Sequence, residues 1–136
     1  MDFFRSLSIA TSGLKAQAGR MRVIAENIAN ADSLPRRPGE EPYRRKIPTF
    51  SSELDRESGA RVVEIGRIRR DRSPFETRYE PGHPGADANG YVQIPNVNSL
   101  VETMDLREAQ RSYEANLNVV GATRRMLQRT LDILRI

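Results

Sequence analysis

Two apolar stripes of helical period, one at each end of the chain, restrict the fold more than anything else in these 136 residues. At the front, Phe3, Leu7, Ala10, Leu14, Gln17, Met21, Ile24, Ile28 and Ala31 follow alternating steps of four and three, and only Gln17 is polar. Such steps keep one narrow apolar seam along a helix, the pattern of a coiled coil. A helix from Phe3 to Ala31 would run roughly 43 Å at about 1.5 Å per residue. Gly13 and Gly19 lie inside it and each costs about 1 kcal/mol relative to Ala. Their presence predicts close helix contact there, or a helix that forms only once packed.

The back of the chain mirrors the front. Leu106, Tyr113, Val120, Leu127 and Leu134 recur at intervals of seven, flanked by Ala109, Leu117, Met126 and Leu131. Ser99-Leu100-Val101-Glu102 fits a capping box, in which Ser and Glu satisfy each other's backbone N–H groups, and so predicts a helix from Ser99 to Leu134. That helix would span about 54 Å. Neither helix can hide its own stripe: the two close on each other as a hairpin, or they pack into something larger. Composition favours the second. Hydrophobic residues make up 38% and aromatics 6%, with no Trp, which is lean for a compact globule of this length. An elongated chain that completes its core against copies or partners needs less.

Between the stripes the pattern changes. Leu34-Pro-Arg-Arg-Pro-Gly-Glu-Glu-Pro42 is a charged, helix-breaking loop. Short β-like runs follow at Tyr43–Phe50, Arg61–Ile68 and Tyr91–Ile94. Tyr79–Gly85 is turn-rich and reads as irregular, and Asn89-Gly90 signals a tight turn before Tyr91. The expected fold is therefore mainly α with a small β or irregular insertion. Residues 1–33 and 97–136 form a discontinuous helical assembly domain, its helices paired like a coiled coil in an elongated protein, and residues 34–96 form the insertion.

No motif points to catalysis. The absence of Cys removes disulfides, thiol chemistry and Cys-based zinc sites, and His83, alone between Gly82 and Pro84, cannot build a multi-His metal site. Gly82, Gly85 and Gly90 lack the Lys-Ser/Thr and the spacing of a phosphate loop and read as turn glycines. No catalytic, cofactor or metal residue is expected, and no small-molecule substrate. The formal charge is +4, and the densest basic run, Arg67-Ile68-Arg69-Arg70-Asp71-Arg72, has two readings. One is a phosphate-contacting patch, the other a solvated strand edge whose charges discourage pairing. The run holds no aromatic residue for base stacking, so a nucleic-acid partner is not expected. No segment reaches the ~18 apolar residues of a membrane span, and the start, Met1-Asp2-Phe3-Phe4-Arg5, lacks the basic region of a secretion signal.

Several motifs resemble the axial proteins of the bacterial flagellum (rod, hook and hook-associated proteins). At the front these are Ser12-Gly13-Leu14-Lys15-Ala16-Gln17 and the helix ending Asn27-Ile28-Ala29-Asn30. At the back they are Asn96-Val97-Asn98 and Tyr113-Glu114-Ala115-Asn116. The stretch Tyr79-Glu-Pro81-Gly82-His-Pro-Gly-Ala-Asp87-Ala-Asn89-Gly90-Tyr91-Val-Gln-Ile-Pro95, in a chain this short, is similar to a basal-body rod subunit. Pro42-Tyr43-Arg44-Arg45-Lys46 is similar too, with less specificity. The resemblance implies a structural subunit of the proximal rod. It would leave the cytoplasm through the flagellar type III export apparatus without a cleaved leader, and polymerise in the periplasmic space with copies of itself and other basal-body proteins into a torque-transmitting shaft. The assembly residues expected from the stripes are Leu7, Leu14, Met21, Ile24 and Ile28 with Leu106, Tyr113, Val120, Leu127 and Leu134. The alternatives are another axial protein, or, in a different class, an Arg-rich nucleic-acid binder.

Overall fold

The computed structural model describes residues 2–135. Helix α1 (Phe3–Ala29) and helix α2 (Ser99–Leu134) enclose in sequence six short strands: β1 (Lys46–Ile47), β2 (Phe50–Leu54), β3 (Arg61–Ile65), β4 (Arg69–Arg70), β5 (Glu76–Tyr79) and β6 (Tyr91–Ile94). The strands form three separate two-stranded antiparallel sheets, β1–β4, β2–β3 and β5–β6. The protein is thus mainly α with a small β insertion. Contacts divide it into two compact units. One holds α1 up to Met21, residues 49–67 and α2 from Arg107, and the other holds residues 22–48 and 68–106.

Both helices are capped by side chains. The Asp2 carboxylate accepts the Arg5 N–H at 3.2 Å, satisfying one of the first-turn donors that a helix leaves unpaired. At the other end of α1 the Asn30 amide donates to the Glu26 carbonyl at 2.9 Å while its oxygen accepts the Ser33 hydroxyl at 3.0 Å. The regular helix therefore stops at Ala29, two residues before the expected Ala31. The capping box expected at Ser99 is not formed. Asn98 is the cap, its side-chain oxygen accepting the N–H groups of Leu100 and Val101 at 3.1 and 3.3 Å. Glu102 is drawn inward instead, because it has stronger donors there.

In the first unit the β2–β3 hairpin lies against α1. Ser12 Oγ accepts the Val63 N–H at 3.2 Å, and Arg5 Nε donates to the Ser58 carbonyl at 2.8 Å. A Cβ on Gly19 would stand 2.8 Å from Ile65 Cδ1, so this glycine admits the Ile65 methyl against the helix. Gly13 does the same for α2: the Asn116 carboxamide sits 2.8 Å from where its Cβ would be. In the second unit β5–β6 buries Val92 completely and sets Tyr79 edge-on to Tyr91, ring centres 5.3 Å apart.

The strands depart from the expected runs for local reasons. Tyr43–Phe50 breaks up because Arg45 and Lys46 give their N–H groups to the side chains of Asn96 and Asn27, at 2.7 and 3.0 Å, and Pro48 has none to give. Arg61–Ile68 ends at Ile65, beyond which the Gly66 N–H bonds to the Thr49 carbonyl at 2.6 Å. Tyr79, expected in an irregular stretch, closes strand β5, whose four residues are all exposed and so carry no apolar alternation.

Candidate assembly interface

In the second unit, a polar clasp joins α1, α2 and the strap Tyr43–Lys46. Asn27, fully buried, donates to the Lys46 carbonyl at 2.8 Å and to Glu102 Oε2 at 3.2 Å. Its oxygen accepts the Tyr43 hydroxyl at 2.8 Å and the Lys46 N–H at 3.0 Å. Glu102, only 1% exposed, also receives Arg45 Nε. Arg45 continues to Asp71 at 3.3 Å, and Asn96 ties Arg45 N–H to the carbonyls of Asp71 and Ser73. Every donor and acceptor of the Asn27 amide is used, as a buried amide requires.

The charges follow from this geometry. Burial, with the nearby carboxylates of Glu26 and Glu102, pushes the Tyr43 phenol up to about 12, so it stays a donor. Burial disfavours the Arg45 cation, but Glu102 and Asp71 outweigh it and its pKa is raised. The N–H and hydroxyl of Ser73, with Arg45, hold the Asp71 carboxyl below the usual range.

The helices carry two distinct faces. In α2 the best-buried residues, Glu102, Ala109 and Thr123, follow a seven-residue spacing that also passes through Asn116. The adjacent expected stripe is less covered: Leu106, Tyr113, Val120 and Leu127 are half-buried and Leu134 is 76% exposed. Every described residue from Gln128 onward is exposed, including Leu131 at 55% and Ile133 at 71%. In α1, Ile24 is buried, while Leu7, Leu14, Met21 and Ile28 are half-buried. Ala16 and Val23, off the expected stripe, are buried beside it.

Of the motif residues, Asn27 lies at the centre of the clasp and Asn30 at the end of α1. Tyr79, Pro81, Gly82, Asp87, Asn89, Gly90 and Tyr91 build the β5–β6 connection. Asp87 Oδ1 accepts the N–H groups of Asn89 and Tyr91, each at 2.9 Å, and Gly90 takes a left-handed φ of 84° under Pro81 and Tyr79. Pro95 is buried after β6, and Tyr113 and Asn116 are half-buried on α2. That Tyr43, Arg45, Asp71 and Glu102 meet in one clasp escapes a sequence reading. Its signals are the Pro42–Lys46 string, similar to rod proteins with little specificity, and an acidic residue in the first turn of α2, which reads equally well as a cap. Among the described residues no group of three or more His, Cys, Asp or Glu could hold a metal ion, and no helix is long and apolar enough to cross a membrane.

Residues 7–33 match the family described as "Flagella basal body rod protein", and residues 88–133 match "Flagellar basal body rod FlgEFG protein C-terminal". The flagellar basal-body rod protein FlgC of Agrobacterium fabrum is 51% identical over 93% of this chain and 91% of its own length. The FlgC proteins of Bacillus subtilis and Salmonella typhimurium are 40% and 38% identical, the first over 98% of this chain and 99% of its own length, the second over 98% of both. Two helices in the positions of the matched segments, joined through the Asn27–Glu102 clasp, and relatives of this similarity lead to one conclusion: the chain belongs to the FlgC family and is a structural subunit of the flagellar basal-body rod.

Proposed function

We propose that the subunit polymerises through its terminal helices, residues 1–33 and 97–136, in a coiled-coil-like packing shared between neighbours, while residues 34–96 act as an insertion that braces the helices. The observation that carries this is the division of faces on α2. The small and polar residues Glu102, Ala109 and Thr123 are used within the subunit, while the large apolar residues stay uncovered: Leu117 at 51%, Leu131 at 55%, Ile133 at 71% and Leu134 at 76% exposure. Apolar surface left in water costs roughly 25 cal/mol per Å², so neighbouring helices are the natural cover. Heterologous contacts whose rotation does not close propagate into helical filaments, the arrangement a rod requires.

The assembly residues are Leu7, Leu14, Met21 and Ile28 on α1 and Leu106, Tyr113, Val120, Leu127 and Leu134 on α2; Ile24, expected among them, is 3% exposed and already used inside the subunit. Partners are copies of the chain and other basal-body proteins, reached through the flagellar export apparatus, with the assembled rod lying in the proximal part of the shaft within the periplasmic space. The role is mechanical, the transmission of torque, and not catalytic. Leu127→Asp tests it: rod assembly and motility should be lost while export from the cytoplasm continues. A motile Leu127→Asp strain with normal rods overturns the reading.

A further inference from the structure

Two strand edges carry charge that no ion pair answers among the described residues. Arg67, Arg69, Arg70 and Arg72 are all exposed, and none forms an ion pair among the described residues. The single carboxylate in that run, Asp71, is already engaged by Arg45 at 3.3 Å and by the Ser73 N–H at 2.9 Å. Strand β4 pairs only with β1, so its other edge is open. The opposite case is the β2–β3 hairpin. All five residues of β2 are exposed, its outer edge is likewise unpaired, and residues 50–65 carry Glu53, Asp55, Glu57 and Glu64 against Arg56 and Arg61. Glu53, Glu57 and Glu64 form no ion pair among the described residues.

Edge strands are normally blunted by charge, Pro or a bulge. Phe50-Ser-Ser-Glu-Leu54 has no Pro and no bulge, its register with β3 running one-to-one throughout, and its one charge is Glu53, which repels an acidic strand but not a basic one. Such an edge is a ready receptor for another strand, and its charge selects a basic one.

We propose that these two edges form a heterologous contact between copies. The Arg67–Arg72 segment of one subunit docks along the β2 edge of a second, its guanidiniums facing Glu53 and Glu57. Because donor and acceptor edges are different surfaces, the contact is heterologous, and each copy keeps a free edge of either kind for the next. Arginine suits it, as the planar fork meets carboxylates in pairs. The same chain supplies the carboxylates, whereas a nucleic acid would find no aromatic residue between Arg67 and Arg72 to stack on. The contact rests on the rod-subunit reading only in needing copies side by side.

The chain has no cysteine, so Glu53→Cys with Arg70→Cys introduces its only two thiols. Oxidised basal bodies carrying this double variant should yield disulfide-linked dimers and longer ladders of the chain, and either single variant should yield none. A disulfide to a different basal-body protein, equal dimer yield from a single variant, or no disulfide in basal bodies that contain the chain overturns the contact. Immunoblotting of wild-type basal bodies reports separately on the rod reading. Charge reversal supplies a second test. Arg69→Glu with Arg70→Glu should lower incorporation into basal bodies at least tenfold, and adding Glu53→Arg with Glu57→Arg should restore it, which a folding defect would not allow. Failure of that rescue in a chain with wild-type circular dichroism also overturns the contact. So does a pair reversal that abolishes salt-dependent DNA binding and leaves incorporation unchanged.

Discussion

The Asn27 amide and the Glu102 carboxylate carry the largest concentrated risk in the subunit, because both are buried and polar. Arg45→Met removes the cation that faces Glu102 and leaves its charge stranded. Breaking a buried pair in this way costs about 3–5 kcal/mol, to be read from urea unfolding of the purified chain. Adding Glu102→Leu should recover only part of that loss, since it removes the stranded charge but leaves one N–H of the buried Asn27 amide without its acceptor. Tyr43 gives a pH signature. Its folded pKa is about 12 against an ordinary 10.0, so the contribution of the neutral phenol is complete below pH 10 and is lost as pH rises through 12. Tyr43→Phe should be less stable by about 1 kcal/mol at neutral pH and should fall less steeply across that alkaline window. Gly85→Ala probes a different constraint: a Cβ there would stand 2.3 Å from the Pro35 carbonyl, a backbone atom that cannot swing aside. Destabilisation of about 1–3 kcal/mol is expected, as for other overpacked sites.

Helices were more legible in the sequence than strands. The apolar periods locate α1 and α2 because a long helix repeats its signal many times, and α2 runs from Ser99 to Leu134 as expected. Their ends are less legible, since Asn98 and Ser99 are both competent caps and only the geometry decides between them. Asn98→Ala should therefore cost about 1 kcal/mol and Ser99→Ala almost nothing, measured by thermal unfolding. Strands of two to five residues carry too few alternations to be read, and β5, exposed throughout, carries none. The two faces of α2 lead to a further separation of effects. Leu131→Ser with Leu134→Ser changes only exposed residues, so the isolated subunit should stay within about 0.5 kcal/mol of wild type. Incorporation into rods should nevertheless fail, as scored by immunoblotting of purified basal bodies.

Few apolar side chains are fully covered among the described residues, and most are small: Ala10, Ala16, Ala60 and Ala109 beside Val23, Ile24 and Val92. An isolated two-stranded sheet is marginal in water, and the described residues form three of them. Helical stability in turn comes mostly from packing. Amides after Leu127 in α2, where every described residue is exposed, should exchange rapidly in the isolated subunit and become protected in the assembled rod. Rapid exchange that persists in the rod would leave this segment without a role in assembly. The kinship to rod proteins was visible in local strings such as Asn27–Asn30 and Tyr79–Pro95, because turns and caps are made by neighbours in sequence. The clasp was not visible in this way, for Asn27 and Glu102 are 75 positions apart and Arg45 stands 57 from Glu102. Periodicity is a property each helix carries alone, so the two apolar stripes could be read directly. Which face each helix commits within the subunit depends on contacts between distant segments, and only the folded chain places Ala109 and Thr123 inside while leaving Leu131 and Leu134 in water.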